Sequence, residues 1–480
     1  MSTILITGGT VVNANGTATA DVLVDGETIA AVLTPGSRLL GVDLAGSVDT
    51  VIDGSGKLVI PGGIDAHTHM ELPFGGTNAS DTFETGTRAA AWGGTTSIID
   101  FAVQRMGERV EDGLAAWHAK AAGNCAIDYG FHQIIGGIDE FSLKAMDGLI
   151  DEGITSFKLF MAYPGVFYSD DAQILKAMQK SAETGLITMM HAENGPAIDV
   201  LAEQLCSAGK TGPYYHGLAR AWQFEEEATH RAIMIADVTG APLYVVHVSA
   251  QQAVAQIAAA RDRGRNVFGE TCPQYLYLSL EDQLGARSEE WGDFEGAKWV
   301  CSTPLRSRAE GHQDAMWQAL RTNDLQMVST DHCPFCMKEQ KELGRGDFRA
   351  IPNGIGGIEH RMDLLYQGVV TGELTLPRWV EVTSTTPARM FGLHGRKGVI
   401  QPGADADIVI YDPSGHTSIG VGEGRSHHMN MDHSAWQGFE VDGHVDQVLS
   451  RGTVIVDETG YVGTKGHGRF LKRDLSQYLI

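Results

Sequence analysis

The sequence predicts an α/β protein in which a (β/α)8 barrel is joined to a β-sandwich domain built from both ends of the chain. Three observations predict this. Over residues 61–390, short apolar runs alternate with longer segments rich in Ala and charged residues. Residues 1–60 and 391–450 instead contain short strands separated by turns. At 480 residues the chain is too long for one ordinary domain, although a barrel accommodates much of it.

The two ends of the chain share one pattern. Apolar and polar residues alternate, and N-G, D-G and P-G pairs separate the runs, which is typical of short strands joined by tight turns. The runs are ILITGGTVVNANG, ADVLVDGETIAAV and VIDGSGKLVI near the start, and GVIQPGADADIVIYDPS and QVLSRGTVIVDETGYVG near the end. We expect one β domain formed from both ends. Residues 451–480 are expected to add a strand and an extension at an oligomer contact.

The middle of the chain alternates strands and helices. The strand candidates are TTSIIDFA, DYGFHQIIGG, TSFKLFMAY, LITMMHAEN, PLYVVHVSA and DLQMVSTDHC. The helix candidates between them are SDDAQILKAMQKSAETG, FEEEATHRAIMIADVTG and AQQAVAQIAAARDRG. Such alternation over some 330 residues predicts a parallel sheet, and at this length the sheet is expected to close into a barrel. Residues 415–435 are expected to be an irregular polar loop or extension.

Composition excludes several classes of function. The hydrophobic fraction of 43% supports a large core, and no apolar run is long enough for a transmembrane helix. The N-terminus lacks a basic segment followed by an apolar one, so no signal peptide is expected. A net charge of −24 without a basic run makes nucleic acid and anionic membranes poor partners. Six scattered cysteines fit a reduced, cytoplasmic protein.

The stretch PGGIDAHTHM, residues 61–70, places two histidines at the end of an apolar run. Side chains at i and i+2 of a strand point to the same face, so His67 and His69 converge. Two neutral imidazoles aimed at one point form half of a metal site. With 18 histidines in the chain, such a pair also arises by chance, so the other ligands have to come from elsewhere.

Most candidate strands end in a residue able to bind metal. His191, His247 and Asp331 follow three of them, and Lys158 lies in a fourth. In a barrel, residues at the carboxyl ends of the strands face one mouth, so these side chains are expected to meet His67. Four imidazoles and a carboxylate exceed the three protein ligands of a single catalytic zinc, which predicts two metals.

Lys158 has two interpretations from spacing alone. An ammonium would repel metal cations, but its apolar neighbours favour the neutral amine, which adds CO2 to form a carbamate able to bridge two metals. Alternatively, Lys158 is a surface lysine whose charged end reaches solvent. The residues alone leave both open.

The chain resembles the dihydropyrimidinase and D-hydantoinase branch of the cyclic amidohydrolases. The matching motifs stand in the family's order and extend over residues 3 to 473: PGGIDAHTHMELPFGGT, FETGTRAAAWGGTTSIIDFA, SFKLFMAY, HAENG, YVVHVSA, ETCPQYL, VCSTPLR, STDHCPF, IPNGIGGIEHRM and GRFLKR. The resemblance implies a TIM-like barrel, a β-sandwich and a binuclear zinc centre, with Mn or Co as alternative metals.

The resemblance also implies roles for the site residues. His67, His69 and Asp331 would hold one metal, and His191 and His247 the other. Lys158, carboxylated by CO2 or bicarbonate, would bridge them.

In the implied reaction, Asp331 moves the proton and Tyr163 stabilises the oxyanion. Backbone groups of Ser302 and Asn353 hold the amide edge of the ring. The expected function is ring opening of dihydrouracil, dihydrothymine and 5-substituted hydantoins to N-carbamoyl amino acids, in pyrimidine catabolism. The family further implies a cytoplasmic homotetramer.

Several alternatives remain. An allantoinase-like enzyme is the nearest rival, although Tyr163 and the PFGGT and IPNGIGGIE segments favour the dihydropyrimidinase side. A dihydroorotase usually carries an Arg soon after the two histidines, where this chain has Glu71. A scaffold relative would have lost the ligands, which are all present here. Thr303 and the Glu359–His360 pair depart from the family's pattern with unknown effect.

Overall fold

The computed structural model of the protein describes residues 2–39 and 42–479. In this part of the chain, eight parallel strands follow one another around a barrel in sequence order. A bridge between Thr68 and His332 joins the first strand to the segment after the last. The predicted fold class is therefore confirmed. The barrel strands are Gly63–Thr68, Thr95–Gln104, Asp128–Ile135, Ser156–Phe160, Ile187–His191, Leu243–Val245, Val267–Thr271 and Met327–Val328.

Helices follow the strands and cover the barrel. The helix Asp171–Thr184 is an example of how the sequence sets the ends of a helix. The side chain of its N-cap, Asp170, accepts from the backbone N–H of Gln173, and the side-chain oxygen of Gln173 accepts from the backbone N–H of Asp170. Its apolar positions, from Ile174 to Met178, face the barrel, and Gly185 ends it with a φ of 80°. The described helices are Phe83–Trp92, Val110–Ala121, Glu140–Leu149, Asp171–Thr184, Gly195–Ser207, Tyr214–Ala219, Trp222–Thr239, Gln251–Asp262, Pro273–Tyr277, His312–Thr322, Arg361–Val370, Leu376–Val380 and Thr386–Met390.

A second sheet joins the two ends of the chain. Ile408–Ser418 pairs antiparallel with Leu58–Pro61, which in turn pairs with Thr3–Asn13 at the start of the chain. Its core of Ile, Val and Ala side chains is separate from that of the barrel. The strands are Thr3–Asn13, Gly16–Asp25, Thr28–Leu33, Thr50–Asp53, Leu58–Pro61, Ile408–Ser418, Glu440–Ser450, Thr453–Asp457 and Gly460–Tyr461. Two further pairs of short strands, Arg38–Leu39 with Val42–Asp43 and Pro73–Phe74 with Thr77–Asn78, stand apart from both sheets.

A buried cluster of charges connects the sheet to the barrel. The ammonium of Lys397 lies 2.7 Å from Asp128, at the start of a barrel strand, and 2.6 Å from Asp407, just before strand Ile408–Ser418. The guanidinium of Arg451 adds a contact of 3.1 Å to Asp128. Because the charges are paired, they can be buried between the two units.

Three details differ from the sequence expectations or extend them. The strand Val267–Thr271 is absent from the predicted set. The segment expected to be irregular, 415–435, begins inside a strand that runs to Ser418. Residues 469–473 run beside the barrel strand Asp128–Ile135 of the same chain, with Leu471 donating to the carbonyl of Tyr129. Within the described residues, no helix combines the length and apolar character needed to span a membrane.

Candidate active site

Three predicted ligands meet at the carboxyl end of the barrel. His67 and His69 leave the first strand on the same face, and Asp331 follows the last strand. The Oδ1 atom of Asp331 lies 3.2 Å from Nε2 of His67 and 3.3 Å from Nε2 of His69. One possible ligand atom from each of the three residues lies within 4.8 Å of the other two. This group can hold a metal ion.

The other two histidines form a second pair beside the first group. Nδ1 of His191 lies 2.9 Å from Nε2 of His247. Glu193 binds the far nitrogen of His191 at 2.7 Å, which leaves Nδ1 as the nitrogen with a free lone pair. Two ring nitrogens facing each other are well suited to share a cation. In the described chain, Nδ1 of His69 and Nδ1 of His247 are buried without a hydrogen-bond partner.

The charge state of the four histidines suits metal binding. Burial lowers the pKa of His67, His69 and His191 well below the ordinary value, and the charge of Lys158 lowers it further. For His247, burial and the neighbouring His191 act in the same direction. The imidazoles are therefore neutral at pH 7, which is the form that binds metals. The donor set fits the predicted metal centre.

Lys158 lies inside the barrel between the two groups. Its side chain is 1% exposed, and Nζ lies 2.9 Å from Nε2 of His67. The rings of Phe101 and Phe160 flank the amine at 4.4 and 5.0 Å. Burial lowers the pKa of Lys158 to about 8, so a fraction of the amine is neutral near pH 7. The alternative that Lys158 reaches solvent is wrong, because the surrounding barrel excludes it.

Glu270 is a site residue that the sequence reasoning missed. It lies in strand Val267–Thr271 and contacts Nδ1 of His67, while Tyr244 donates to it at 2.9 Å. A carboxylate at Nδ1 fixes the tautomer of His67 so that Nε2 faces Asp331. Burial raises the pKa of Glu270 to about 7. The available signal was a carboxylate within the short run VFGET.

The sequence reasoning also missed an ion pair between Arg220 and Glu193, which supports His191. Arg220 forms a buried ion pair with Glu193, and its guanidinium lies 5.2 Å from the ring centre of Tyr163. Arg220 therefore links a predicted metal ligand to the predicted oxyanion donor. Arg220 belongs to no predicted strand, so no sequence pattern indicated its role.

Tyr163, Ser302 and Asn353 lie together at the mouth of the cluster. Tyr163 takes a positive φ of 63° in the turn after strand Ser156–Phe160. Burial raises its pKa, so the phenol stays protonated and can donate. The amide of Asn353 donates to the hydroxyl of Ser302 at 3.0 Å. Among the described residues, nothing pairs with the backbone N–H and C=O groups of Ser302 and Asn353.

One cavity unites the predicted residues. Except for His67, which lies beneath, they all line it together with apolar side chains: His69, Lys158, Tyr163, His191, His247, Ser302, Asp331, Asn353, Leu72, Phe74, Phe160 and Phe167. A larger outer cavity of about 790 Å³ shares Phe74, Tyr163 and Asn353 with it. A small molecule can therefore approach the cluster through the outer cavity.

Two neighbours of the ligands have structural contacts. Asp65 accepts hydrogen bonds from the backbone and the hydroxyl of Thr330, at 3.1 and 2.5 Å, and so connects the first strand to the segment that carries Asp331. Both ring nitrogens of His332 are used, one by Asp81 and one by the N–H of Gly357. His332 is therefore not available as a ligand.

Comparison with known proteins places the chain in a family. Residues 58–455 match the model of the Amidohydrolase family. A D-hydantoinase of Streptomyces coelicolor is 59% identical over 475 residues, which cover 99% of both chains. A D-hydantoinase of Geobacillus stearothermophilus is 46% identical over 98% of this chain and 96% of its own. The crystal structure of dihydropyrimidinase from Brevibacillus agri superposes with a TM-score of 0.93 at 45% identity, covering 99% of both chains.

The chain belongs to the amidohydrolase family, a class of enzymes that generally depends on two metal ions. Within that family it is a member of the dihydropyrimidinase and hydantoinase group, and it is a hydrolase of cyclic amides.

Proposed function

We propose that this enzyme opens the ring of 5,6-dihydropyrimidines and 5-substituted hydantoins by metal-dependent hydrolysis, releasing N-carbamoyl amino acids. One observation carries the proposal: three neutral imidazoles, Lys158 and Asp331 line a cavity that also presents free backbone donors and acceptors, and a fourth imidazole, that of His67, contacts Asp331. A cyclic ureide has a matching edge of N–H and C=O groups. The names of the relatives support the same substrates.

The metal centre is proposed to hold two ions. His67, His69 and Asp331 would bind one, and His191 and His247 the other. Lys158 would bridge them after its neutral amine adds CO2, which forms an N–C bond, releases one proton and leaves a carbamate anion. Zinc is the proposed metal, with Mn or Co as alternatives. When bound, the metal pair supplies a Lewis acid for the carbonyl and lowers the pKa of the attacking water.

Asp331 is the proposed proton carrier. It is 8% exposed, lines the cavity and lies 3.2 and 3.3 Å from His67 and His69. A carboxylate there can accept the proton of the attacking water and return it to the nitrogen that leaves. Amine departure needs this proton because an amide anion is a poor leaving group.

Tyr163 is proposed to donate a hydrogen bond to the developing oxyanion. Its phenol is protonated and lies in the cavity wall, where a fixed donor stabilises charge more strongly than water does. The unpaired backbone groups of Ser302 and Asn353 would hold the rest of the ring amide. Their position determines which ring carbonyl faces the metals.

The apolar wall favours hydantoins and dihydropyrimidines over allantoin. Phe160 and Phe167 stack with their ring centres 5.0 Å apart, and both line the cavity with Phe74. A ring substituent that is apolar or absent suits this wall. The ureido side chain of allantoin would lose hydrogen bonds to water there without replacement. The retained ligand set disfavours a scaffold without activity.

We further propose a cytoplasmic homotetramer acting in pyrimidine catabolism. The resemblance to the family supports the assembly. Six cysteines without a disulfide support a reducing compartment.

The test is hydrolysis of dihydrouracil, 5-phenylhydantoin and allantoin by one preparation of the enzyme. The proposal expects ring opening of the first two, with allantoin at least about tenfold slower. Allantoin as the best substrate would keep the enzyme class and contradict the substrate. No hydrolysis of any of the three, after zinc and bicarbonate are supplied, would contradict the proposal.

A further inference from the structure

Lys341 is a buried lysine behind the wall of the candidate active site. It begins the turn Lys341–Gly344, and its side chain is 0% exposed. Its ammonium donates to three backbone carbonyls, those of Val300 at 2.9 Å, Pro352 at 2.7 Å and Gly354 at 2.8 Å. Three acceptors use all three N–H bonds of an ammonium, whereas a neutral amine has only two. No carboxylate of the described chain forms an ion pair with it.

The three carbonyls belong to the two segments that hold Ser302 and Asn353. Pro352 and Gly354 flank Asn353, and Val300 precedes Ser302 by two residues. The N–H of Gly354 also donates to the carbonyl of Val300 at 2.9 Å. Lys341 therefore binds both segments through one ammonium group, from the side away from the cavity.

Peptide geometry relates these hydrogen bonds to the cavity. In a planar trans peptide, the N–H of one residue points opposite to the carbonyl of the residue before it. Because the carbonyl of Pro352 points toward Lys341, the N–H of Asn353 points away from it, and this N–H has no partner among the described residues. Gly354 packs closely against Cys333, since a Cβ at this position would lie 2.0 Å from the carbonyl oxygen of Cys333.

A buried cation without a counter-charge is costly. Burial lowers the pKa of Lys341 to about 7, because the charged form loses its hydration. A methionine would fill much the same volume without that cost. The three carbonyl acceptors favour the charged form against this cost.

We propose that Lys341 is a positioning residue that orients the backbone of Asn353 toward the ring amide of the substrate and anchors, at Val300, the segment that leads to Ser302. This inference rests on the proposed function. Lys341 does not line the cavity, so it acts through these backbone groups and not by contact with the substrate.

The test compares Lys341→Met with the wild type, using dihydrouracil for kinetics and uracil as a binding probe that offers the same amide edge. Loss of these hydrogen bonds should weaken the binding of the substrate and of the transition state to a similar extent. We expect KM for dihydrouracil and Kd for uracil to rise about tenfold or more, with kcat within about threefold and metal content unchanged.

Two variants control the result. Lys341→Gln keeps two donors and should fall between the wild type and Lys341→Met, and it replaces Lys341→Met if that variant is insoluble. Lys397→Met removes another buried lysine, far from the cavity, and should leave KM unchanged.

Unchanged KM and Kd in an active enzyme would contradict the role of Lys341 alone, as would a loss of metal and kcat at constant KM. A wild-type chain that binds uracil but opens no ring would contradict the proposed function alone, and the Kd comparison would still decide the role of Lys341.

Discussion

Nζ of Lys158 lies 2.9 Å from Nε2 of His67, in the barrel interior and between the two groups of predicted metal ligands. An unmodified ammonium at that place would oppose every cation the histidines could bind. The proposed carboxylation of Lys158 would remove this repulsion, because it converts the amine to an anion.

Replacing Lys158 by methionine should abolish the bridge. We expect Lys158→Met to lose at least about a thousandfold in kcat/KM and to hold less than one metal ion per chain, because the two metal positions lose their shared anion. Elemental analysis and hydrolysis of dihydrouracil measure both effects. Lys144→Met, at an exposed position of helix Glu140–Leu149, is the matched control and should behave as the wild type. Full metal content in Lys158→Met would contradict the bridging role.

Glu270 is expected to tune the metal site through His67. Glu270→Gln replaces the acceptor of the imidazole N–H, so we predict about 10- to 100-fold weaker metal retention or activity. Metal loss is followed by titration with a chelator. Tyr244→Phe removes a different hydrogen bond of Glu270 and leaves its contact with His67, so it should have the smaller effect. Equal effects of the two variants would argue against control of the tautomer.

The charged junction between sheet and barrel is expected to stabilise the fold without affecting catalysis. Lys397→Met leaves Asp407 buried without its ion-pair partner and leaves Asp128 with Arg451 alone, which costs about 3–5 kcal/mol of unfolding free energy. Lys57→Met removes a partly exposed ion pair with Asp412 and should cost about 1 kcal/mol or less. Urea unfolding compares the two variants. A similar cost for both would show that burial does not govern the junction.

The raised pKa of the buried Asp363 predicts that the stability of the protein depends on pH. Burial raises its pKa to about 7, from an ordinary value near 3.8. The folded protein therefore holds a proton that the unfolded chain releases, so the contribution of Asp363 to stability is complete below about pH 4 and is lost as the pH rises through 7. Relative to the wild type, Asp363→Asn should gain unfolding free energy between pH 5 and 8. A difference that stays constant with pH would contradict this.

The barrel and most of its site could be predicted because both are periodic or local features. His67 and His69 reveal a shared face by their spacing alone, and Asp331 lies at a strand end even though the regular strand stops at Val328. Strand–helix alternation then brings these ends together. This is why the proximity of these distant candidate ligands could be predicted without a structure.

The residues that support the site could not be predicted in the same way. Glu270 meets His67 across 203 positions, and its strand contains a glycine that weakens the strand pattern. Lys397 meets Asp128 across 269 positions. Neither contact has a period or a motif, because each depends on how two distant segments pack. The contacts of Lys341 could not be predicted for the same reason, because its partners are backbone carbonyls, which every residue type has.

The proposed function requires that metal bound by this cluster drives the opening of cyclic amides. Metal content and dihydrouracil hydrolysis should be measured on one preparation, before and after removal of metal by a chelator and again after zinc and bicarbonate are returned. We expect about two metal ions per chain, activity that disappears with them, and activity that returns with both. Ring opening that persists in the metal-free protein would show that the reaction does not depend on metal.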